Sequence, residues 1–312
     1  MHGADGVSRV LVVGSANVDY AVALARLPAP GETVTDGTLL VNHGGKGANQ
    51  AVAARRLGAE VRLIASVGDD ASGRGIREAL AGEGIDVAGV VSTAEAFTGT
   101  ALIVVDAEGR NQIAVAPGAN RRLDVEAVRR YAEAIWWADV VVCQLETPLP
   151  TVSWVLGEAR RRGVTTVLNP APVPDAFPEV WRDVDYLTPN AGEAARLSGV
   201  AVADDPSANA AARVLRARGV GTVIVTLGGD GALLVGADVV ARVAARRVKA
   251  VDTTAAGDAF NGALAVALAE RRSPDDALLF ANAAAALACT RRGAQPSLPT
   301  RAEVDAALAE ER

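Results

Sequence analysis

The chain has 312 residues, of which 50% are hydrophobic, and a net charge of −6 at pH 7. This length suggests one large α/β domain or two smaller ones, and the acidic balance argues against nucleic acid or an anionic membrane as a partner. The two cysteines, Cys143 and Cys289, lie in apolar runs without metal-ligand spacing, and two histidines leave little for zinc. Because buried free thiols suit a reducing compartment and no stretch resembles a signal core or a membrane span, we expect a cytoplasmic protein.

The first predicted strand, Arg9–Gly14, is a continuous apolar run that ends in glycine, which is typical of a buried parallel strand. Asn17 and Asp19 follow it, at the position where open α/β sheets place ligands. Ordinary turn chemistry is the alternative for this pair. Residues 21–43 contain prolines and a Thr/Val alternation over 32–41, which predicts strands outside the main sheet.

A glycine-rich segment, Gly44–Gln50, opens a predicted helix over Ala48–Leu57. It resembles a phosphate-binding loop, but the Walker pattern needs four residues between its first glycine and Gly-Lys, and then Ser or Thr. Here Gly47 follows Lys46, so the pattern fails. The alternative is a glycine-lined approach for a small polar ligand, with Lys46 and Asn49 as hydrogen-bond donors.

A hairpin pattern follows later, in which Thr100–Asp106 and Arg110–Val115 alternate around the turn Ala107–Gly109. Together with the strands near residues 32–43 it predicts a small separate sheet over the site. We call this sheet the lid. We place it at approximately residues 16–43 and 97–118 within a single domain over 1–312.

Strands and helices alternate through the rest of the chain, which predicts a largely parallel sheet covered by helices. The other predicted strands are Val61–Gly68, Val140–Leu145, Val164–Leu168, Asp185–Thr188, Gly219–Thr226 and the antiparallel pair Ala232–Val235 and Val239–Val243. The predicted helices run from Gly68 to about Ala81, over Val125–Trp136 and Thr151–Arg162, and onward from Pro189–Glu193. We expect Trp136 and Trp137 to pack a helix against the sheet.

The stretch Ala250–Leu268 becomes a long Ala/Leu helix that begins near Asp258. A helix start exposes unpartnered N–H groups and carries partial positive charge. The small residues Ala255, Ala256 and Gly257 leave room for an anion there, and Asp258 beside it is able to take a proton from an attacking hydroxyl. The alternative, that Asp258 only caps or charges the first turn, stays open on the local sequence.

Polar residues recur where predicted strands end, so they would meet at one edge of a parallel sheet and form a ligand site. They are Asn17, Asp19, Glu146, Asn190, Glu193, Thr226, Gly228, Asp252 and Asp258, the last two after the β-branched run Arg247–Val251.

Two segments resemble the signatures of the PfkB carbohydrate kinase family, namely GGKGANQAVAARRLGA (44–59) and DTTAAGDAFNGAL (252–264). The resemblance runs from Val12 to about Pro299. Shorter segments, among them QLETP (144–148) and TPNAGEA (188–194), favour the ribose-specific branch over fructokinase-like or adenosine-kinase-like branches. The resemblance implies an α/β fold with a central, mostly parallel sheet, helices on both of its faces, and a small β-sheet lid.

The resemblance also implies ATP-dependent phosphorylation of D-ribose at its 5-hydroxyl. Asp258 would be the general base, and the N–H groups of Ala255, Ala256 and Gly257 would form an anion hole. The residues implied to hold the sugar are Asn17, Asp19, Gly44, Gly45, Lys46, Asn49, Glu146 and Asp258.

The resemblance further implies a nucleotide site, a monovalent-cation site and a homodimer formed through the lid. Asn190 and Glu193 would position the Mg²⁺-bound phosphates through water, and Thr226, Gly228, Gly231, Gly257 and Asn282 would border the nucleotide. The positions implied for K⁺, largely through main-chain oxygens, are Asp252, Thr254, Ala288, Arg291, Gly293 and Ser297.

Two alternatives stay open. The first is a related kinase for deoxyribose, another pentose or a nucleoside, because Ala16 and Ala101 would line the sugar pocket and leave room for a bulkier substrate. The second is a non-catalytic sugar- or nucleotide-sensing protein on the same fold. His43 precedes the glycine segment, and we expect it to be structural or solvent-facing.

Overall fold

The computed structural model describes residues 6–108, 110–175, 177 and 180–310, and within them two separate sheets. The strands are β1 Arg9–Val13, β2 Asn17–Ala23, β3 Thr38–Gly44, β4 Glu60–Gly68, β5 Val90–Thr93, β6 Gly99–Val105, β7 Asn111–Ala116, β8 Val140–Cys143, β9 Thr165–Leu168, β10 Tyr186–Leu187, β11 Thr222–Thr226, β12 Ala232–Val235 and β13 Val240–Val243. The helices are α1 Lys46–Arg56, α2 Ala71–Gly82, α3 Val125–Arg129, α4 Ala132–Trp137, α5 Leu149–Arg161, α6 Ala191–Ser198, α7 Asp205–Ala217, α8 Ala256–Ala269, α9 Pro274–Ala288 and α10 Arg301–Ala309.

The larger sheet has nine strands in the order β13-β12-β11-β10-β9-β8-β1-β4-β5. Every pairing from β11 to β5 is parallel, and only β12 and β13 join antiparallel at one end. The carboxyl ends of the parallel strands therefore share one edge, which is where ligand sites form in such sheets. The predicted mostly parallel sheet is confirmed.

Helices cover both faces of this sheet, because its strands are apolar on both sides. Along β1, Val10 and Val12 join the hydrophobic cluster that contains α1, α8 and α9, whereas Leu11 and Val13 join the cluster that contains α5 and α7. Successive side chains of a strand point to opposite faces, so a continuous apolar run is what such a central strand requires.

The smaller sheet has four strands in the order β3-β2-β6-β7. β2 pairs antiparallel with β3 and parallel with β6, and β6 pairs antiparallel with β7. The small sheet expected beside the main one is confirmed, whereas the division of the chain at 16–43 and 97–118 stays a prediction. Gly109 of the predicted hairpin turn lies outside the described residues.

Three sequence expectations about these elements are wrong. The helix expected over Val125–Trp136 is interrupted, because Tyr131 leaves the helical conformation (φ −117°, ψ 21°) and its N–H donates to Val128 O three residues back. Residues 32–37 form no strand. The partner strand β2 ends at Ala23, which pairs with Thr38, so β2 offers no residue for the segment before Thr38 to pair with. The β-branched run before Asp252 is also not a strand, since the N–H groups of Val251 and Asp252 both donate to Cys289 O after α9.

Trp136 and Trp137 lie in different environments. Trp137 packs against the hydrophobic cluster under α5, with the Arg62 guanidinium 4.2 Å from its ring centre. Trp136 is 48% exposed and contacts Arg162 and Glu158 at the surface, so its expected packing against the sheet is wrong. In the described part of the chain, no helix is both long and apolar enough to cross a membrane.

Candidate active site

Helix α1 begins against the carboxyl end of β1, and its glycines allow this close approach. A Cβ on Gly47 would lie 2.6 Å from Ser15 N and 2.7 Å from Gly14 C. Glu146, which follows β8, then caps the start of the helix, because its Oε2 accepts from Lys46 N at 3.1 Å and from Ser15 Oγ at 2.5 Å. A carboxylate at a helix N-terminus is favoured by the exposed N–H groups there.

Asp258 lies in the first turn of α8 and is 7% exposed. Its two carboxylate oxygens are held separately, because Oδ2 accepts from Asn49 Nδ2 at 2.9 Å and Oδ1 accepts from Gln50 Nε2 at 2.9 Å. Both donors belong to α1. The two segments singled out in the sequence, 44–59 and 252–264, therefore meet at the Asp258 carboxylate.

Five charged side chains interact electrostatically at this point, namely those of Asp19, Lys46, Glu146, Glu193 and Asp258. Burial raises the pKa of the Asp258 carboxyl, an effect opposed by Lys46 and by the two amide donors. Burial, with the nearby Glu146 and Asp258 carboxylates, raises the pKa of Asp19 to about 6. Burial alone would lower the pKa of Lys46, but Asp258, Glu146 and Glu193 raise it, so the ammonium stays charged.

The lid contributes Asn17 and Asp19 to the same place. Asn17 is buried, and its Oδ1 accepts from Asn120 Nδ2 at 2.7 Å, while Asn120 Oδ1 accepts from Ala16 N at 2.9 Å. The Asp19 carboxylate lies against Gly44, the last residue of β3, since a Cβ on Gly44 would be 2.1 Å from Asp19 Oδ2. The turn where the lid leaves the main sheet is thus held by buried amides.

The turn before α8 has the form expected of an anion site. Ala255 adopts a left-handed conformation with φ 60°, which costs about 1–2 kcal/mol for a residue with a Cβ. Within the described residues, the N–H groups of Ala255, Gly257 and Asp258 have no acceptor, whereas Ala256 N donates to Thr253 O at 3.3 Å. A Cβ on Gly257 would meet nothing within 4 Å, so the space in front of the turn is open.

The residues expected to bind the nucleotide form two groups. Asn190 and Glu193 make a reciprocal capping box at α6, in which Asn190 Oδ1 accepts from Glu193 N at 2.9 Å and Glu193 Oε2 accepts from Asn190 N at 2.8 Å. Asn190 also lies beside Thr226 in a parallel bridge. Asn282 lies on α9, where its Nδ2 donates to Ala244 O at 2.9 Å.

Gly228 and Gly231 lie in the turn that follows β11, and Gly231 N donates to Gly228 O at 3.0 Å. This turn continues directly from Thr226, so it lies at the carboxyl edge of the main sheet.

Three of the positions expected for a monovalent cation, Asp252, Thr254 and Gly293, are in contact. Asp252 joins two loops, because its Oδ1 accepts from Thr254 N at 2.9 Å and its Oδ2 accepts from Gly293 N at 2.9 Å. The Arg291 guanidinium instead forms an ion pair with Glu303 of α10. The other two positions lie nearby along the chain, with Ala288 at the end of α9 and Ser297 buried in a short 3₁₀ turn.

Four residues of this site were not predicted from the sequence: Ser15, Gln50, Asn120 and Gln144. Gln144 directly follows β8 and Ser15 follows β1, so the rule that singled out Glu146 and Asn17 applies to them as well. Gln50 and Asn120 have no such signal, because their roles depend on which elements pack against them.

Comparison with known proteins agrees with the motifs. Residues 7–301 match the pfkB family carbohydrate kinase description. The chain is 43% identical to a ribokinase of Haemophilus influenzae, across 94% of this chain and 95% of that protein. It is 35% identical to a deoxyribokinase of Salmonella typhi, across 93% and 95%. The structure of Arabidopsis thaliana ribokinase complexed with ribose and ATP superposes with a TM-score of 0.91 at 33% identity, across 97% and 99%.

The chain therefore belongs to the PfkB family of carbohydrate kinases. Its fold, with a nine-stranded sheet between helices and a second sheet of four strands, is that of solved ribokinases.

Proposed function

We propose that this protein transfers the γ-phosphoryl group of ATP to the 5-hydroxyl of D-ribose. The observation that carries the proposal is the buried Asp258 carboxylate, held by two amide donors at an open helix start and faced by the Lys46 ammonium. The similarity to ribokinases along nearly the whole chain supports ribose as the sugar.

In the proposed reaction Asp258 takes the proton of the 5-hydroxyl, and the freed oxygen forms a bond to the γ-phosphorus. The bond between that phosphorus and the β–γ bridging oxygen breaks, and ADP leaves with the electron pair. The unpartnered N–H groups of the 255–258 turn stabilise the charge that develops on the transferring group. Phosphoryl transfer needs little covalent work from a protein, so positioning and charge stabilisation supply most of the catalysis.

The sugar would lie between the lid and the start of α1. Within the described residues Asn49 Oδ1 is buried and has no hydrogen-bond partner, although its amide nitrogen is fixed on Asp258. Buried acceptors are normally satisfied, and a sugar hydroxyl would satisfy this one. Asp19 and Glu146 supply carboxylates for further hydroxyls, and Lys46 supplies a donor. Asn17 and the backbone of Gly44 and Gly45 complete the proposed sugar-binding set.

The pKa of Asp19 leads to a pH prediction. As the pH falls through about 6, Asp19 gains a proton and loses an acceptor for the sugar, so kcat/KM for ribose is expected to fall on the acid side. In Asp19→Asn the group that titrates near pH 6 is absent and Asp258 faces one negative charge fewer, so this limb is expected to move to lower pH. A profile of kcat/KM against pH measures this. An acid limb at the same pH in both proteins would contradict the role of Asp19.

We propose that ATP binds with Mg²⁺ beside α6. The carboxylate of Glu193 is half-buried and electrostatically coupled to Lys46, and carboxylate and amide oxygens suit Mg²⁺, so Glu193 and Asn190 would hold the metal-bound phosphates through water. Bound Mg²⁺ supplies positive charge to the phosphates. Thr226, Gly228, Gly231, Gly257 and Asn282 would border the nucleotide.

We also propose that K⁺ binds where Asp252 joins its own loop to the loop after α9. Hydrogen bonds from Thr254 and Gly293 lower the pKa of Asp252 despite its partial burial, so the group stays ionised. An ionised carboxylate among loop carbonyls is an oxygen-rich donor set of the kind that hard cations prefer. When bound, K⁺ supplies charge that holds the turn before α8. Ala288, Arg291 and Ser297 would complete the site through main-chain oxygens.

A second candidate substrate is deoxyribose or another pentose, because Ala16 and Ala101 are small and buried and a relative acts as a deoxyribokinase. Coupled ADP release with Mg-ATP over ribose, deoxyribose, fructose and nucleosides decides between them. Turnover highest with ribose is expected. Turnover highest with another member would keep the mechanism and change the substrate, and no turnover with any would favour a sensing protein.

We further propose a homodimer formed through the lid, since both faces of this sheet expose apolar side chains. On one face, Leu40 is 45% exposed and Ile113 is 56% exposed, on strands that flank β2 and β6. Light scattering at micromolar concentration is expected to show a dimer that Leu40→Asp converts to a monomer. Val240→Asp, at a 51% exposed position on β13, is the control and is expected to leave the dimer intact. A monomeric parent protein would contradict the proposal.

A further inference from the structure

We propose that Gln50 is a positioning residue for the reaction: it orients the Asp258 carboxylate through a chain of buried amide side chains along the edge of the main sheet. This inference rests on the proposed role of Asp258 as the general base. Gln50 is 0% exposed and both atoms of its amide already have partners within the protein, so it acts through the side chains that it contacts.

Both ends of the Gln50 amide are fixed. Its Oε1 accepts from Gln144 Nε2 at 2.6 Å, and its Nε2 donates to Asp258 Oδ1 at 2.9 Å and to Asn169 Oδ1 at 3.2 Å. Because Gln144 presents a donor and Asp258 presents an acceptor, only one orientation of the Gln50 amide satisfies both. Gln50 therefore cannot turn its oxygen towards the carboxylate without losing both contacts.

The partners of Gln50 are anchored at the ends of neighbouring strands. Gln144, Asn169 and Thr188 follow β8, β9 and β10, which lie side by side in the main sheet. Asn169 Nδ2 donates to Thr188 O at 3.3 Å, and Thr188 Oγ1 donates to Asn261 Oδ1 at 2.6 Å. Asn261 Nδ2 in turn donates to Gly257 O at 2.8 Å, in the turn that precedes Asp258.

These contacts form a closed path from the carboxylate of Asp258, through Gln50 and the ends of β9 and β10, back to the backbone beside Asp258, and Gln144 at the end of β8 holds Gln50 from the side. The general base and the proposed anion site are therefore tied to the same rigid sheet edge. Every side chain on the path is at least nine-tenths buried, so water cannot replace a lost contact at low cost.

The Gln50 donor also favours the ionised form of Asp258, because a hydrogen bond to a carboxylate stabilises its charge. The charged groups that face Asp258 are Lys46 from α1, which acts in the same direction, and Glu146 after β8 and Asp19 from β2, which act against it. Without Gln50 the carboxylate keeps Asn49 as its only amide donor, and the proposed function already assigns Asn49 to the sugar. The base would then be less well oriented and would hold its proton to higher pH.

The test compares Gln50→Met, which keeps the volume and removes the donor, with Gln50→Glu, which keeps the shape and adds a carboxylate. In Gln50→Met we expect kcat to fall about 10- to 100-fold and the acid limb of kcat to move up by about one pH unit, with KM for ribose within about threefold. In Gln50→Glu the limb moves further, because two adjacent carboxyl groups share a proton. Rescue of Gln50→Glu is not expected at acid pH, since Asp258 is then protonated as well.

The control is Thr166→Val, which removes the hydrogen bonds that the Thr166 hydroxyl makes with Asp183 O and with Asp185, at the end of β9 opposite the site. It is expected to lower thermal stability without moving the acid limb. Acid limbs unchanged in both Gln50 variants, or kcat losses no larger than that of Thr166→Val, would overturn the inference. Asp258→Asn separates the two proposals: if it keeps near-normal turnover the proposed base is wrong, and if it is inactive while the Gln50 variants behave normally only the role of Gln50 is wrong.

Discussion

Replacing Asp258 by Asn is expected to lower kcat by about 10²- to 10⁴-fold, the usual contribution of a general base, while KM for ribose changes little. Asn keeps the size of Asp, and its oxygen still accepts from Gln50 Nε2. Its amide nitrogen then faces Asn49, whose side-chain amide turns so that the unpartnered Oδ1 accepts from it, and the site keeps its shape. It cannot accept the proton of the sugar hydroxyl. Steady-state kinetics with saturating Mg-ATP and varied ribose measures both constants.

A matched control is Asp185→Asn. Asp185 is a partly buried carboxylate that accepts from Thr166 N at 2.9 Å, at the opposite end of the sheet from the site. We expect this variant to lose stability and keep its kcat. Near-normal turnover in Asp258→Asn would show that Asp258 is not the general base. An equal loss of kcat in both variants would show that the effect is structural.

Replacing Gly262 by Ala is expected to destabilise the protein by about 1–3 kcal/mol, the usual cost of overpacking. Gly262 lies on α8 where this helix crosses α1, and a Cβ there would lie 2.5 Å from Ala53 Cβ and 2.9 Å from Ala54 N and from Gln50 O. Two of these three contacts are with backbone, which cannot move away alone. The helices must separate, so Asn49 and Gln50 shift relative to Asp258 and kcat is expected to fall as well.

Gly82→Ala is the control for this prediction. Gly82 is the last residue of α2, and a Cβ there would meet nothing within 4 Å. Since Ala is favoured over Gly in a helix by up to about 1 kcal/mol, this variant is expected to keep or gain stability and to keep full activity. Urea unfolding measures both changes. Equal stability in Gly262→Ala and Gly82→Ala would show that α1 and α8 are not in close contact at Gly262.

The main sheet could be predicted from the sequence because its strands are apolar on both faces and end in polar residues. The run at β1 is one such case, and Glu146 after β8 is another. The position of Asp258 at a helix start was also predictable, since small residues precede an Ala-rich run. These features depend only on neighbours along the chain.

The rest of the site depends on contacts between distant segments. Gln50 and Asp258 are 208 residues apart, and nothing near Gln50 in the sequence indicates which carboxylate its amide would meet. The break at Tyr131 and the exposure of Trp136 likewise follow from tertiary packing. Glu193 shows a third case, because a capping box and a proposed phosphate-positioning role use the same residue, and the sequence pattern alone does not distinguish them.

The central claim is that the 5-hydroxyl of ribose receives the γ-phosphoryl group of ATP at Asp258. Phosphorus NMR of the reaction of the protein with ribose and Mg-ATP tests it most directly, because the splitting of the product signal reports the position of the phosphate. A new monoester signal split into a triplet by the two C5 protons, growing together with the ADP signals, is the expected result. A doublet would place the phosphate on a ring carbon bearing one proton, and ADP without a sugar monoester would show that ribose is not the acceptor.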